Sequence, residues 1–254
     1  MGVTHNINPN YQSLESSILD IHTHFNRSNN TIKEGRNHLK IVELDGKNYV
    51  VKSFKKPSFI QSYIYGNLTT SKARRSFEYA NILLSKDIHT PTPVAFIEHY
   101  NGMKLCESFY VCEHHDYDYN LSVLLPERGE GDASFDDSDA LWTAFMNFTV
   151  DLHEKGIHHL DFTRKNILIT TKDNMYHFSI VDLNRMEFKP LSLKERIASL
   201  GKMTSNKDLI KLMAKHYSIA SQTDQAQCLQ LLQESVAKHQ QYWDRKRSLK
   251  KVFK

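Results

Sequence analysis

Apolar positions recur along the chain in two rhythms, and the switches between them predict where helices give way to strands. Between residues 11 and 26, Leu14, Ile18, Ile21 and Phe25 fall at spacings of four, three and four. That is one face of an amphipathic helix, ended by Asn26-Arg27-Ser28-Asn29-Asn30. Strand-like runs follow at 37–44 and 49–54, and Asp45-Gly46 between them is a strong hairpin signal. Residues 71–85 return to helical spacing, with Ala73, Phe77, Ala80, Leu83 and Leu84 on one stripe. Thr90-Pro91-Thr92-Pro93 breaks the chain, and 94–98 and 108–113 read as the last two strands of a small sheet. After a polar stretch the pattern turns helical: a short piece at 121–125, then 140–155 with Leu141, Phe145, Phe148 and Leu152. Ile167-Leu168-Ile169 and Phe178-Ser179-Ile180-Val181 make a second hairpin, and helical patterns at about 193–199, 206–218 and 223–243 complete the chain. The pattern predicts an α+β protein: residues 1–113 hold an N-terminal helix, a small antiparallel sheet and one further helix. Residues 114–120 form a hinge, and 121–254 are mainly helical.

Composition narrows the classes. Apolar residues make up 40% of the 254, with thirteen Phe and twelve Tyr, enough for a real core. The net charge of +4 carries no nucleic-acid signature. Cys106, Cys112 and Cys228 are scattered and odd in number, with no C-x-x-C, so neither a zinc site nor a disulfide framework is expected and a reducing cytoplasm fits. No apolar signal region and no run of 18 apolar residues is present, which predicts neither export nor a transmembrane span. Met1-Gly2 is followed by Asn at position 6, against N-myristoylation. Residues 126–139 carry Glu127, Glu130, Asp132, Asp136, Asp137 and Asp139 and read as a mobile surface insertion.

The candidate chemistry centres on His159-Leu160-Asp161-Phe162-Thr163-Arg164-Lys165-Asn166. It offers a carboxylate at Asp161 and an amide oxygen at Asn166, and the hairpin behind it ends in a second carboxylate, Asp182. A lone H-x-D-x-x-x-x-N arises by chance; followed by a hairpin ending in Val-Asp, it matches the order of a kinase catalytic loop and its metal-binding Asp. Upstream, Lys52 lies inside the apolar run Tyr49-Val50-Val51-Lys52-Ser53-Phe54. A buried lysine is costly unless its charge is used, although an edge-strand lysine can reach solvent. Glu78 borders the apolar stripe of the 71–85 helix, where it either turns inward to Lys52 or pairs with Arg74 one turn earlier. Adjacent side chains of an extended chain point opposite ways, so His114-His115-Asp116 reads as hinge and not as a metal site.

Taken together, Lys52, Glu78, Asp161, Asn166 and Asp182 resemble the protein-kinase-like superfamily over roughly residues 30–190. The chain departs from protein kinases in several places. Leu183-Asn184 follows Asp182 where Phe-Gly is usual, no Ala-Pro-Glu motif or G-x-G-x-x-G is present, and 72 residues follow Asp182, few for a peptide-binding lobe. Ser71-Lys72-Ala73-Arg74-Arg75, Thr90-Pro91-Thr92-Pro93 and Asp182-Leu183-Asn184-Arg185 instead resemble the lipopolysaccharide core kinases, the Kdo/heptose kinases of Gram-negative bacteria including the Bacteroides group. The resemblance implies a two-lobe fold with a shortened helical C-lobe. It also implies transfer of phosphate from ATP, with Mg2+, to a sugar hydroxyl of the inner core, most simply on Kdo–lipid A. In that scheme Lys52 holds the nucleotide phosphates, oriented by Glu78, and Asp161 accepts the hydroxyl proton. Asn166 and Asp182 bind the metal, and His159 organises the loop. Arg164 and Lys165 hold the loop geometry or meet phosphate or the substrate carboxylate. Gly35, Arg36 and Asn37 cover the phosphates, and Glu113 at the strand end joins the nucleotide-binding set.

The same catalytic residues would serve a small atypical protein kinase or an antibiotic- or choline-type kinase, and a pseudokinase scaffold is the non-enzyme alternative. From Lys238 onward seven basic residues, Lys238, Arg245, Lys246, Arg247, Lys250, Lys251 and Lys254, stand against one acid, Asp244, with Trp243, Leu249, Val252 and Phe253 interleaved. A solvated helix end is the commoner meaning of such a tail. A peripheral anchor on the cytoplasmic face of the inner membrane, beside a glycolipid acceptor, is the alternative.

Overall fold

In the computed structural model, which describes residues 2–56, 58, 69–125 and 138–252 (side chains to Leu249), the chain forms two units. The first is Met1–Asp116 with Asp182–Asn184, and the second is Tyr117–Val181 with Arg185–Lys254. Most of the acidic insertion and the last tail residues, Lys250, Lys251, Val252, Phe253 and Lys254, lie outside the described side chains.

The first unit is built on six antiparallel strands: β1 (Gly2–Ile7), β2 (Thr31–Lys33), β3 (Asn37–Leu44), β4 (Lys47–Phe54), β5 (Pro93–Asn101) and β6 (Lys104–Glu113). Their order is β1-β5-β6-β4-β3-β2. The β3–β4 hairpin turns on Asp45 and Gly46, both with positive φ (49° and 75°), as a two-residue hairpin loop requires. The helix predicted at 11–26 is three pieces: a 3₁₀ segment Pro9–Leu14, then α1 (Glu15–Leu19) and α2 (Ile21–Arg27). Tyr11 leaves helical geometry and Asp20 separates α1 from α2. The breaks let the segment curve over one sheet face, and Leu14, Ile18, Ile21 and Phe25 all bury there with Val42, Val51, Ile97 and Val111. The opposite face takes α3 (Lys72–Ser85), whose Ala73 and Phe77 pack on Phe54, Phe96 and Tyr110. Ser71 caps α3 by accepting from the Arg74 N–H at 3.1 Å.

The second unit is mainly helical: α4 (Ser138–Glu154), α5 (Leu193–Leu200), α6 (Lys207–Ser221) and α7 (Gln225–Val252). α4 packs on α6, and α7 packs on both α5 and α6. Trp142, Phe145, Phe162 and Tyr217 are fully buried between them. Three small strands, β7 (Tyr119–Asn120), β9 (Ile167–Lys172) and β10 (Met175–Ile180), form one sheet, and β8 (Ile157–His159) pairs with β11 (Met186–Phe188). Gly156 makes the turn from α4 into β8 possible. Its φ is +71°, and a Cβ there would meet the Lys189 carbonyl oxygen at 2.9 Å, a contact that backbone cannot yield easily.

Candidate active site

Two groups of side chains are candidates for the chemistry, one in each unit. In the first unit, Lys52 lies on β4 facing the α3 side, opposite Tyr110 of β6 and near the Phe54 ring. It is only 8% exposed, and its ammonium is bonded to the Asp182 carboxylate. The same carboxylate oxygen accepts from the Asn184 amide at 2.5 Å. Asp182 has φ +63°, a left-handed conformation that costs a residue with a Cβ about 1 kcal/mol or more and is tolerated best by Asp and Asn. The chain bends there directly after β10, and the bend delivers the carboxylate.

Glu78 is a correction. The expected Lys52–Glu78 pair is not formed: the Glu78 carboxylate accepts from Arg74 Nε at 2.8 Å, one helical turn away, with both groups in solvent. The physical reason is the difference in desolvation. An exposed i,i+4 pair forms without removing either charge from water, whereas an inward Glu78 would bury a carboxylate beside a lysine already neutralised by Asp182. Arg74 is held further by the Phe96 ring, 5.8 Å from its guanidinium carbon.

Gly35 and Arg36 lie in the exposed turn between β2 and β3, and Asn37 opens β3. Gly35 has φ +151° and nothing within 4 Å of where a Cβ would sit. The Asn37 side chain accepts from the Lys55 N–H at 3.3 Å, tying the turn back to the end of β4. Glu113, the last residue of β6, lies close enough to the Tyr11 hydroxyl to act on it electrostatically. Burial first, and the Glu113 carboxylate second, push the Tyr11 phenol far above its ordinary value. That partner comes from the N-terminal segment, and no spacing in the sequence announces it.

In the second unit the catalytic loop is held by its own polar groups. His159 is 2% exposed. Its Nδ1 accepts the Asp161 N–H at 3.1 Å and its Nε2 lies 3.3 Å from the Val181 carbonyl oxygen. A backbone N–H can only donate and a carbonyl can only accept, so the ring carries its proton on Nε2. Asn166 donates from Nδ2 to the Asp161 carbonyl at 3.0 Å, and its own carbonyl accepts from the Val181 N–H at 3.0 Å. With Nδ2 committed to the loop, Oδ1 is the end of the amide suited to a cation. Arg164 donates from Nη1 to the Leu125 carbonyl at 2.6 Å, so it anchors the loop to the segment after β7. Beneath the loop, His153 on α4 lies between the Tyr217 hydroxyl and Ser199 Oγ at 3.1 and 3.0 Å, and burial holds its pKa down near about 3. The α4 pattern exposed no reason to single it out.

A magnesium ion, implied by this loop type, is tested by the donors present. Each unit offers a hard oxygen donor of its own, the Asp182 carboxylate in the first and the Asn166 amide oxygen in the second. Among the described residues no group of three or more His, Cys, Asp or Glu could hold a metal. Hard oxygen donors of this kind suit magnesium, which keeps waters and phosphate oxygens among its ligands, and disfavour zinc.

The fold is of the protein-kinase-like class, and the buried Lys–Asp pair and the Asp–Asn loop are residue types that phosphoryl transfer uses. Residues 23–234 match the lipopolysaccharide kinase (Kdo/WaaP) family model, and the chain belongs to that family. Its members are kinases that phosphorylate a sugar hydroxyl, so this chain is an enzyme of lipopolysaccharide synthesis. Among solved structures it is similar to one described as WaaP in complex with acyl carrier protein, with TM-score 0.63, 17% identity, and coverage of 95% of this chain and 99% of that one. At that identity the likeness shows the fold. In all, 854 solved chains match, so the fold by itself selects no substrate. No curated protein matches.

Proposed function

We propose that the protein transfers the γ-phosphoryl group of ATP, with magnesium, to a hydroxyl of Kdo on Kdo–lipid A. The observation that carries the reading is the loop itself: the Asp161 backbone is fixed by His159 and Asn166, while its carboxylate takes no part in that fixing. Asp161 accepts the proton of the attacking hydroxyl. Lys52 and Asp182 bind the nucleotide end, with the Lys52 ammonium passing from Asp182 to the phosphates as ATP enters. Asn166 and Asp182 hold the magnesium, which supplies charge neutralisation on the phosphates when bound. Gly35, Arg36 and Asn37 cover the phosphates, and the β6 end at Glu113 borders the nucleotide. Glu78 enters only if it leaves Arg74. Phosphoryl transfer asks the protein mostly for positioning and charge, and this set supplies both.

The acceptor is a glycolipid, and the reading places the enzyme at the cytoplasmic face of the inner membrane. No described helix is long and apolar enough to cross a membrane. On α7, Tyr242 and Leu249 are 58% and 60% exposed among basic neighbours, the composition of a helix that rests on an anionic surface. Incubation of Kdo–lipid A with the protein and Mg-ATP, followed by mass spectrometry, tests the assignment. A gain of one phosphate on the Kdo fragment is expected; phosphate on heptose alone, or none, overturns it.

A further inference from the structure

Within the second unit lies a cleft of about 690 Å³ that the catalytic roles above do not use. Three segments wall it: Thr163, Arg164 and Lys165 of the loop that carries Asp161, the turn from Gly201 to Ser205, and one face of α7. The walls meet because Gly201 lets the end of α5 approach α7. A Cβ at Gly201 would fall 2.1 Å from Ser235 Oγ. The volume falls in the range of sites that enclose a small organic ligand.

The lining has a definite chemistry. Lys165, Lys202 and Arg247 bring positive charge, and the one carboxylate, Asp244, is 3.6 Å from Arg247. Trp243 lines the cleft at 40% exposure, with its indole N–H donated to His239 Nε2 at 3.0 Å. That bond fixes the ring plane, leaving a rigid aromatic wall for the C–H face of a sugar. Lys202 also donates to the carbonyl of Leu160, the residue before Asp161. An occupant of the cleft therefore borders the segment that positions the base. Neither Lys52 nor Asp182 lines the cleft.

We infer that this cleft receives the acidic sugar of the acceptor, with Lys165, Lys202 and Arg247 meeting its carboxylate and Trp243 its ring. The inference rests on the Kdo kinase reading and adds how the acceptor is recognised. It also divides α7: Trp243 and Arg247 face the substrate, while Tyr242 and Leu249 are left for the membrane.

The test compares free Kdo with its methyl ester, in which the carboxylate is neutral, using the full chain. Binding is followed by ligand-observed NMR and transfer by KM and kcat. Wild type is expected to prefer the acid by about tenfold or more, the scale of hydrogen bonds to a charged group. Arg247→Gln, on the exposed side of a helix, is expected to erase most of that preference. Trp243→Ala is expected to weaken acid and ester alike. An acid-to-ester ratio that survives in Arg247→Gln overturns the inference. So does an Arg247→Gln protein that loses only its binding to phosphatidylglycerol vesicles while its KM for free Kdo is unchanged, because the cleft would then be a membrane contact. The Kdo kinase reading fails separately, if wild type adds no phosphate to Kdo–lipid A, and the NMR comparison stands apart from that result.

Discussion

His159 offers the sharpest test of how the loop works, because its two ring nitrogens do two separable jobs. Nδ1 accepts the Asp161 N–H at 3.1 Å, and Nε2–H donates to Val181 at 3.3 Å. His159→Leu removes both bonds from a site that is 2% exposed. Each backbone partner left unpaired costs about 1–3 kcal/mol. The sum is a large share of the roughly 5–15 kcal/mol that stabilises a typical domain. His159→Asn places an oxygen near the former Nδ1 and restores the Asp161 bond alone, and His159→Gln reaches toward the former Nε2 and restores the Val181 bond alone. The stability order expected in urea denaturation is wild type, then Asn and Gln, then Leu. Activity should separate the two single replacements. Of the two ring bonds only the one to Asp161 fixes the proposed base, so Asn keeps more turnover than Gln, and Leu loses about 100-fold in kcat, the scale of an ångström's misplacement at a reacting centre. A His159→Leu protein that melts within about 0.5 kcal/mol of wild type and turns over at its rate would refute the argument, since that is the scatter of an ordinary surface substitution.

The other predictions are more direct. Asp161→Asn is expected to cut phosphoryl transfer by about 10²–10⁴-fold while nucleotide binding, read by fluorescent ATP analogue titration, stays near wild type; near-normal transfer would remove Asp161 as the base. Glu78→Gln should leave transfer within a few-fold and lower stability by about 0.3–0.5 kcal/mol, because the carboxylate is spent on Arg74; a collapse in kcat would restore it as the partner of Lys52. His153 is neutral when folded, its pKa lowered from 6.5 to about 3 chiefly by burial, so the unfolded chain binds the extra proton as pH falls below about 6.5. Stability from this group is therefore full above pH 6.5 and drains toward pH 3 at about 1.4 kcal/mol per unit, and His153→Gln should flatten urea midpoints between pH 7 and 5. For the proposed membrane face of α7, Tyr242→Ala with Leu249→Ala should weaken binding to anionic liposomes and spare turnover of free Kdo; unchanged liposome binding would make these side chains mere surface.

Much of the architecture was legible before any coordinates. Asp45-Gly46 announced its hairpin because a positive φ at two successive positions selects few residues. The loop from His159 to Asn166 and the hairpin to Asp182 were legible because their spacing is local, and each residue's role depends on neighbours a few positions away. The buried stripe Leu14, Ile18, Ile21 and Phe25 was also legible, although its single helix was not real: periodicity reports which side faces the core and is blind to the breaks at Tyr11 and Asp20 that bend the segment round the sheet. β1 escaped because its outer side chains are exposed and its strand character lies in backbone bonds to β5, 90 or so positions on. The partner of Lys52 was a choice between carboxylates that composition could not make. Glu78 and Asp182 are equivalent as charges, and Asp182 wins because the bend after β10 brings it, 130 residues along the chain, to a site where Glu78 would have to give up both water and Arg74. The cleft beside the loop was the least legible of all. In the sequence Lys165 is read with the loop, Arg247 with the basic tail and Lys202 not at all, and they line one space only because a glycine at 201 lets two helices come close beside the loop.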